Sequence, residues 1–235
     1  MALLGTLVNG FAIIIGTVLG LFFKNIPEKQ KETILSGVAL VVILIGLDMA
    51  LQVNHIIIVI LSMMMGAVIG EAIDLDRKLN KIGARVERLI SNKEMDSRIS
   101  QGFITASLIF VVGAMGVIGA LDGGLRNDHG VLLTKSILDG FTALVLTTTL
   151  GIGVIFSAIP VVIYQGSIAL LATFIYRWIP ATFLDAFIVE MTAIGGLLIV
   201  AIGLNMLSIT KIRVANLLPS LLIVGMLLSI YQYFF

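Results

Sequence analysis

The sequence has no cysteine, few histidines and little charge of either sign. The absence of cysteine among 235 residues excludes disulfides, thiolate metal sites and thiol catalysis. The two histidines, His55 and His129, lie far apart in the sequence, which argues against a histidine-rich metal site. Motifs of nucleotide-binding loops, serine hydrolases, zinc proteases and dinucleotide-binding folds are also missing. We therefore expect a protein that is not an enzyme, uses no cofactor or metal and binds no nucleic acid.

Apolar residues, in contrast, are in large excess. Hydrophobic residues make up 59% of the sequence and charged residues 12%, and the mean hydropathy is +1.13. A soluble domain is closer to half apolar and about a quarter charged. One water-soluble core cannot hold such an excess, so the composition predicts an integral membrane protein surrounded by the lipid bilayer.

Eight apolar segments are long enough to span a membrane, which takes about 20 apolar residues in a helix. They are residues 3–23, 34–53, 55–73, 102–121, 133–154, 157–177, 187–208 and 213–234. The sequence therefore predicts an all-α integral membrane protein with a single transmembrane domain over residues 1–235. Residues 133–177 are too long for one span, and Gly151, Gly153 and Pro160 offer places for a break. The N-terminus lacks a basic segment and a cleavage site, which predicts a retained first helix.

The basic residues support eight spans and give them an orientation. With eight spans, 12 of the 15 basic residues fall on one side of the membrane and 3 on the other. Cytoplasmic loops are enriched in Lys and Arg. This predicts a multi-pass protein of the bacterial cytoplasmic (inner) membrane with both termini outside. A seven-span alternative that fuses residues 133–177 would put Lys211 and Arg213 on the wrong face.

Residues 74–100 form a strongly charged segment that differs from the spans. Apolar residues recur there at steps of three and four, at Leu75, Leu79, Ile82, Val86 and Leu89. This spacing predicts a cytoplasmic amphipathic helix with a basic face opposite its apolar stripe. The segment is either an interfacial helix on anionic headgroups, an extension of the third span docked to the bundle, or a regulatory or partner-binding element.

Two stretches near the N-terminus resemble two stretches of the second half. GVALVVILIGLDM (37–49) resembles GGLLIVAIGLNM (195–206), and NGFAIIIGTVLGLFFKNIP (9–27) resembles QGSIALLATFIYRWIP (165–180). These matches pair spans 1–3 with spans 6–8; the alternative is a chance likeness of short apolar strings. From the start of span 1 to the start of span 6 there are five spans, an odd number, so the second copy enters the membrane from the opposite face. The matches therefore predict an inverted repeat, as in many secondary transporters. Glycines three or four positions apart in spans 1, 3 and 4 predict close helix packing and suggest a homo-oligomer.

Polar side chains inside the spans are the candidates for function, because an ionisable group in a membrane costs about 2.5–3.5 kcal/mol on insertion scales. Asp139 is the first candidate, and Lys135 lies one helical turn earlier on the same face. The two form either part of a pathway for an ion or a structural ion pair. The further candidates for binding a small ion or solute are Asn9, Glu71, Asn216, Gln165, Thr147 and Asp128.

Structural alternatives exist for these candidates as well. Asp48, Glu71 and Glu190 lie near span ends, where a carboxylate can reach headgroup water. The amides in spans 1 and 6 can bond neighbouring helices, and Thr147 can bond back to its own helix. The loop that contains Asp128 is either an entrance vestibule or a flexible connection.

Over essentially its whole length, the sequence resembles the YdfK/YqgA-like family of bacterial membrane proteins of unknown function. The resemblance is carried by Asn9 with the Gly16/Gly20 run, Gly70-Glu71, the glycines of span 4, Asn127-Asp128, Lys135-Ser136-x-Leu138-Asp139 and Asn216-x-x-Pro219. The Lys-Ser-x-Leu-Asp block is the most specific of these motifs. The resemblance implies a polytopic inner-membrane protein, and labels given to the family name a sodium channel or pump. It implies no particular substrate.

Two hypotheses follow from these patterns. The first is a secondary transporter or channel for a small ion or solute, such as a monovalent cation. In it Asp139 is the central carboxylate, Lys135 is its counter-charge, and the other candidates are supporting polar groups. The second is a non-transporting membrane scaffold, sensor or assembly factor that acts through residues 74–100.

Overall fold

The computed structural model of the protein is helical throughout its described residues, which are 1–22, 28–81 and 97–234. The longer helices are α1 (Leu4–Leu21), α2 (Glu28–Ala50), α3 (Ile56–Ile73), α4 (Ser97–Val111), α5 (Ala114–Arg126), α6 (Gly130–Leu150), α7 (Ala158–Trp178), α8 (Ala181–Met206) and α9 (Ser220–Phe234). Two 3₁₀ helices lie at Gly151–Ser157 and Val214–Leu217. Those described ranges contain no strand. The prediction of an all-α protein is confirmed.

Several helical runs are long and apolar enough to cross a membrane. Among the described residues six qualify, or seven when the bent pair of α4 and α5 is counted as one broken span. Many large apolar side chains on these helices point outward, such as Phe11, which is 65% exposed, and Leu44, which is 67% exposed. A water-soluble monomer rarely exposes apolar surface on this scale. The protein is therefore a membrane protein whose helices contact lipid.

The number of candidate spans differs from the eight expected, and the difference arises at two places. The two spans predicted within residues 133–177 are joined by the first 3₁₀ helix into one run of 49 residues, Gly130–Trp178. The span predicted at 102–121 is interrupted, because α4 and α5 meet at 62°. Gly113, between them, has a φ of 136°, a value that L side chains rarely adopt.

Within the run Gly130–Trp178 the α-helix ends at Gly151, the first of the break positions expected from the sequence. Gly151 has a φ of 73° and a ψ of −160°, which no α-helix can continue. The chain then forms the 3₁₀ helix and resumes as α7 at Ala158, so Pro160 lies in the first turn of α7. Proline is tolerated there because the first N–H groups of a helix have no helical partner.

The chain reverses its direction within this run. α6 runs parallel to α1, since residue numbers rise together in the contacts of Gly5 with Leu132, Gly16 with Gly140 and Gly20 with Thr147. α7 runs antiparallel to α1, since numbers rise in one helix and fall in the other in the contacts of Gly10 with Val162 and Thr6 with Gly166. α6 and α7 therefore lie along α1 in opposite directions.

The chain divides into two compact units. The first unit consists of Met1–Val38, Asn80–Val111 and Met115–Ile175, and the second consists of Ala39–Leu79, Val112–Ala114 and Tyr176–Phe235. In the first unit, a Cβ atom on Gly16 would overlap the carbonyl group of Gly140. In the second, a Cβ atom on Gly66 would lie 2.5 Å from the backbone nitrogen of Ser220. These glycines bring helix backbones together, as their spacing predicted.

Part of the charged segment 74–100 is described. Asp74 ends α3 in a left-handed conformation with a φ of 54°, and residues 75–81 are again helical. The left-handed residue means that residues 75–81 do not continue α3 as a straight helix. Most of the predicted amphipathic stripe falls on 82–96, which lies outside the described residues. The role of this segment stays a prediction.

Candidate functional site

Four polar side chains are buried together inside the first unit, where α1, α6 and α7 meet. They are Asn9, Lys135, Asp139 and Gln165, and they are called here the buried polar cluster. Each is at most 7% exposed, and Asn9 and Gln165 are fully buried. All four were candidates from the sequence. Lys135 and Asp139 share one face of α6, and the packing of three helices brings Asn9 and Gln165 to this pair.

An ion pair within α6 forms the centre of the buried polar cluster. Lys135 Nζ lies 2.9 Å from Asp139 Oδ1 and 2.8 Å from Asp139 Oδ2. The spacing of four residues places both side chains on one face of the helix, as predicted. The ammonium group therefore engages both carboxylate oxygens. Such close approach offsets much of the penalty of taking both charges out of water.

Two amide side chains connect this ion pair to the neighbouring helices. Asn9 Nδ2, on α1, donates to Asp139 Oδ2 at 3.0 Å and to Gln165 Oε1, on α7, at 3.2 Å. Asn9 Oδ1 and Gln165 Nε2 have no hydrogen-bond partner among the described residues. Buried polar atoms without partners are rare in proteins. The buried polar cluster thus contains one unpartnered acceptor and one unpartnered donor.

Gly116 of α5 leaves space beside the buried polar cluster. A Cβ atom at this position would lie 3.5 Å from Lys135 Cε and 3.6 Å from Gln165 Nε2. An alanine at this position would be in ordinary van der Waals contact with both groups. The sequence identified Gly116 only as one of three glycines at a packing spacing, and its position beside the lysine emerges from the tertiary structure.

Thr147 and Asp128 are candidates that do not join the buried polar cluster. Thr147 is buried, but its hydroxyl donates to the carbonyl of Ala143 at 2.6 Å, and it lies about 12 Å along α6 from Asp139. Asp128 is exposed and accepts the N–H of Gly130 at 2.9 Å, where α6 begins. Both contacts are of the kind that shape a helix locally.

Glu71 and Asn216 belong to the second unit, where they bond to each other. Asn216 Nδ2 donates to Glu71 Oε2 at 2.6 Å, and Asn216 Oδ1 accepts the backbone N–H of Asp76 at 2.7 Å. Arg213 lies 2.5 Å from the other oxygen of Glu71. These contacts fasten the end of α3 to the 3₁₀ helix before α9. Among the described residues, no hydrogen bond of the buried polar cluster involves either candidate.

Glu190 is an acidic residue whose surroundings the sequence did not reveal. Its expected place near headgroup water is wrong, because the side chain is fully buried in the second unit. Its Oε1 accepts the backbone N–H groups of Asn54 at 3.2 Å and His55 at 2.8 Å, and lies 3.0 Å from His55 Nδ1. Glu190 therefore caps the start of α3 from another helix. No local pattern links positions so far apart in the sequence.

Comparison with known proteins places this chain among bacterial relatives. A family model described as a protein of unknown function (DUF554) matches residues 4–229. The uncharacterized membrane protein YdfK of Bacillus subtilis (strain 168) is 32% identical over 224 residues, or 93% of each chain. The uncharacterized protein YqgA of Escherichia coli (strain K12) is 30% identical over 224 residues, or 94% of each chain. No solved structure matches the chain. With nearly its whole length matched, the chain belongs to the DUF554 family, as its resemblance to YdfK/YqgA-like proteins indicated.

Proposed function

We propose that the protein is a secondary transporter or channel for a small ion in the bacterial inner membrane, with Asp139 as its central carboxylate. The observation that carries the proposal is the buried polar cluster, an ion pair with two amides enclosed by apolar helices. Each ionisable group kept inside a membrane costs about 2.5–3.5 kcal/mol on insertion scales. Such groups mark ion pathways and proton relays in membrane proteins.

Eight spans fit the geometry of the helices. As one helix, the 49 residues of Gly130–Trp178 would be about 70 Å long, while the apolar part of a bilayer is about 30 Å thick. Since α6 and α7 run in opposite directions along α1, the run supplies two crossings. With α4 and α5 as one broken span, the six candidates become eight. An even number supports a topology with both termini on the same side.

The contact between Asn9 and Gln165 supports an inverted repeat of spans 1–3 and 6–8. The repeat aligns Asn9-Gly10 with Gln165-Gly166, 156 positions later. Helices related by a two-fold axis in the membrane plane are antiparallel, and equivalent residues meet only where the axis crosses the pair. Asn9 and Gln165 are equivalent, lie on antiparallel helices and share a hydrogen bond of 3.2 Å.

The contacts beside this hydrogen bond follow the same symmetry. Gly10 of α1 packs against Val162 of α7. Its equivalent, Gly166, packs against Thr6, which is the residue equivalent to Val162. One contact is thus the image of the other under exchange of the two copies.

A second helix pair, in the second unit, supports the repeat independently. A Cβ atom on Gly46 of α2 would lie 2.7 Å from the carbonyl oxygen of Gly196 on α8. A Cβ atom on Gly203, the repeat equivalent of Gly46, would lie 3.0 Å from the carbonyl oxygen of Ala39. Ala39 is itself the equivalent of Gly196 at the same spacing of 157. These antiparallel contacts again exchange under a two-fold axis.

This symmetry suggests how the buried polar cluster could be reached from both sides. Asn9 comes from the first copy and Gln165 from the second, while Lys135 and Asp139 lie on α6, outside both copies. If one copy moves relative to the other, the contact between Asn9 and Gln165 changes. Asp139, which is bonded to Asn9, would then open to one face of the membrane or the other.

The first prediction is that Asp139→Asn abolishes transport. In proteoliposomes, the wild-type protein is expected to carry Na⁺, Li⁺ or K⁺, and Asp139→Asn to lower tracer uptake by more than about tenfold, because the central carboxylate is gone. The matched control is Asp122→Asn, since Asp122 pairs with Arg126 at the same spacing, 3.7 Å apart, and its side chain is 21% exposed against 9% for Asp139. The control is expected to keep its flux.

Folding must be checked, because Asp139→Asn leaves a buried ammonium without its counter-charge. The double variant Lys135→Gln/Asp139→Asn removes both charges and serves as the folded comparison, judged by size-exclusion profile and thermal melting in detergent. Unchanged flux in a folded Asp139→Asn protein would remove Asp139 from the mechanism. Absence of flux of any tested ion by the wild-type protein would overturn the transport function itself.

A further inference from the structure

The break between α4 and α5 places the start of a helix within the span expected at 102–121. α5 begins at Ala114, and the first N–H groups of a helix have no acceptor within it. These groups and the helix dipole make the start of a helix positive, so it attracts negative charge. Irregular backbone at membrane depth is tolerated only where protein buries it or where it lines a polar cavity. The start of α5 is therefore a candidate place for a polar ligand.

The space beside Gly116 lies at this positive end of α5. Gly116 is the third residue of the helix, and Cα–Cβ bonds tilt towards the N-terminus of a helix. The position of a Cβ atom there is 3.5 Å from Lys135 Cε, 3.6 Å from Gln165 Nε2 and 3.9 Å from the carbonyl oxygen of Val111. All four residues belong to the first unit. A single atom therefore fits beside Gly116 in ordinary contact with its neighbours.

An unpartnered donor faces this space. The Asp139 carboxylate can only accept hydrogen bonds, so Asn9 presents Nδ2 to it, and Gln165 must present Oε1 to the same Nδ2. These contacts fix the amide of Gln165 with its Nε2 on the side of Gly116. Gln165 is fully buried, and its Nε2 has no hydrogen-bond partner among the described residues. The amide thus directs a free donor at the space beside the start of α5.

Lys135 adds positive charge and a further donor to the same space. An ammonium group has three N–H groups, and Nζ contacts the two oxygens of Asp139 at 2.9 and 2.8 Å. At least one N–H group is left over from these two contacts. Nζ is bonded to Cε, the atom nearest to the Cβ position of Gly116. A ligand in this space can contact the ammonium while the ion pair stays intact and the lysine keeps its charge.

The other unpartnered atom of the two amides is an acceptor. Asn9 Oδ1 is buried without a hydrogen-bond partner among the described residues, and it belongs to the amide that donates to Asp139 Oδ2. With the carboxylate it offers oxygen ligands, which hard cations prefer to nitrogen or sulfur. The buried polar cluster therefore has oxygen atoms for a cation and N–H groups for an anion.

We propose that the site takes a small anion together with the cation, chloride beside Gly116, so that the protein carries a monovalent salt. This inference rests on the proposed function, in which Asp139 is the carboxylate for the transported ion. The donors to the anion are Gln165 Nε2, the ammonium of Lys135 and N–H groups at the start of α5. The ligands of the cation are the carboxylate of Asp139 and Asn9 Oδ1.

Charge balance requires the two ions to bind together. The buried polar cluster is neutral, with one ammonium, one carboxylate and two amides. The described parts of α1, of α4 from residue 99 and of the first 3₁₀ helix contain no ionisable side chain. Asp122 and Arg126 of α5 pair with each other, and Arg177 of α7 lies about 18 Å along that helix from Gln165. A lone ion of either sign would leave an uncompensated charge in an apolar interior, whereas a cation and an anion together leave the site neutral.

Joint binding can be measured on purified protein in detergent, because a bound ligand raises the melting temperature. NaCl is expected to raise it by more than the sum of the rises in sodium gluconate and in choline chloride at equal ionic strength. The reason is that each ion binds more tightly when the other is present. LiCl and KCl are compared with their gluconates in parallel. Rises that are merely additive for all three cations would overturn the joint binding.

Gly116→Ala tests the place of the anion. The methyl group would fill the space and make ordinary contacts, so the variant is expected to melt as the wild type in sodium gluconate but to lose the extra rise with chloride. The matched control is Gly166→Ala in the same unit, where a Cβ atom would meet the apolar atoms Leu3 Cδ2 at 3.6 Å and Thr6 Cγ2 at 3.8 Å. The control is expected to keep the full effect of chloride. A full effect in Gly116→Ala would overturn the assignment of the anion to this space.

Gln165→Met provides a second test that does not depend on the folding of the alanine variant. It removes the donor Nε2, while Asn9 keeps its bond to Asp139. The extra rise with chloride is expected to disappear in this variant as well. A chloride effect equal to that of the wild type would overturn the role of the amide in anion binding.

Transport separates this inference from the proposed function. In proteoliposomes, uptake of radioactive Na⁺ is recorded with chloride or gluconate outside, and uptake of radioactive Cl⁻ with Na⁺ or choline; Li⁺ and K⁺ are compared in the same way. A fall in cation uptake of about tenfold in gluconate, with Cl⁻ uptake that needs the cation, supports salt transport. Equal cation uptake with both anions overturns the inference and leaves a cation transporter or channel. No cation uptake with either anion overturns the proposed function and the inference with it.

Discussion

Glu190 shows how the protein accommodates a carboxylate that is removed from water. One oxygen accepts two backbone N–H groups at the start of α3, and the same oxygen lies beside the ring of His55, which packs against Tyr231. N–H groups at the start of a helix lack helical acceptors, and the helix dipole favours negative charge there. Burial of the carboxylate is thus offset by donors that also need a partner.

This arrangement predicts that Glu190→Ala destabilises the second unit. Removal of the carboxylate takes away the acceptor of two part-buried hydrogen bonds, from the N–H groups of Asn54 and His55, and a hydrogen bond to a charged group contributes about 1.5–3 kcal/mol. The melting temperature in detergent, measured by scanning fluorimetry, should fall clearly below that of the wild type. The control is Asp48→Ala, because Asp48 is exposed and is expected to leave melting unchanged. Equal melting of both variants would contradict the capping role.

At the level of helices, glycine allows α1 and α6 to approach until their backbones touch. Without a hydrophobic driving force between helices in lipid, association relies on close packing and interhelical hydrogen bonds. The contact of Gly16 with the carbonyl of Gly140 is the close packing, and the bond from Asn9 to Asp139 is the interhelical hydrogen bond. The close approach is also what places Asn9 within reach of the ion pair.

Gly16→Ala is accordingly expected to push α1 away from α6. The new Cβ atom would overlap the backbone of Gly140, which cannot rotate aside as a side chain could. We expect a lower melting temperature and weaker cation binding, measured on the same preparation. The control is Gly37→Ala in α2, where a Cβ atom meets nothing within 4 Å. There alanine should be neutral or stabilise the helix by up to about 1 kcal/mol. Identical effects of both substitutions would contradict the packing argument.

For the molecule as a whole, the number of spans decides which loops share a side. Because the chain has no cysteine, single introduced cysteines report their side of the membrane without background labelling. With eight spans and outer termini, cysteines at Arg126 and Arg177 should react with an impermeant maleimide in intact cells. A cysteine at Lys211 should react only after permeabilisation. If Gly130–Trp178 crossed the membrane once, a cysteine at Arg177 would react only after permeabilisation, and a cysteine at Lys211 would react in intact cells.

The sequence alone determined that the protein is an all-α membrane protein and that Lys135 can pair with Asp139 in α6. Composition specifies the solvent, because an excess of apolar residues is tolerated only in lipid. The pairing of Lys135 with Asp139 needs no more than helical periodicity, since residues four apart share a face. These features depend on composition or on neighbours within one turn, and both can be read along the chain.

Only the tertiary structure decided which polar residues meet. The bonds of Asn9 to Asp139 and Gln165, of Glu71 to Asn216 and of Glu190 to His55 each join residues at least 130 positions apart. In a soluble helix, an apolar stripe shows which face is buried. In lipid, both faces of a helix are apolar, so the sequence gives little sign of which face meets protein. Helix packing therefore selected the buried polar cluster from the wider set of candidates.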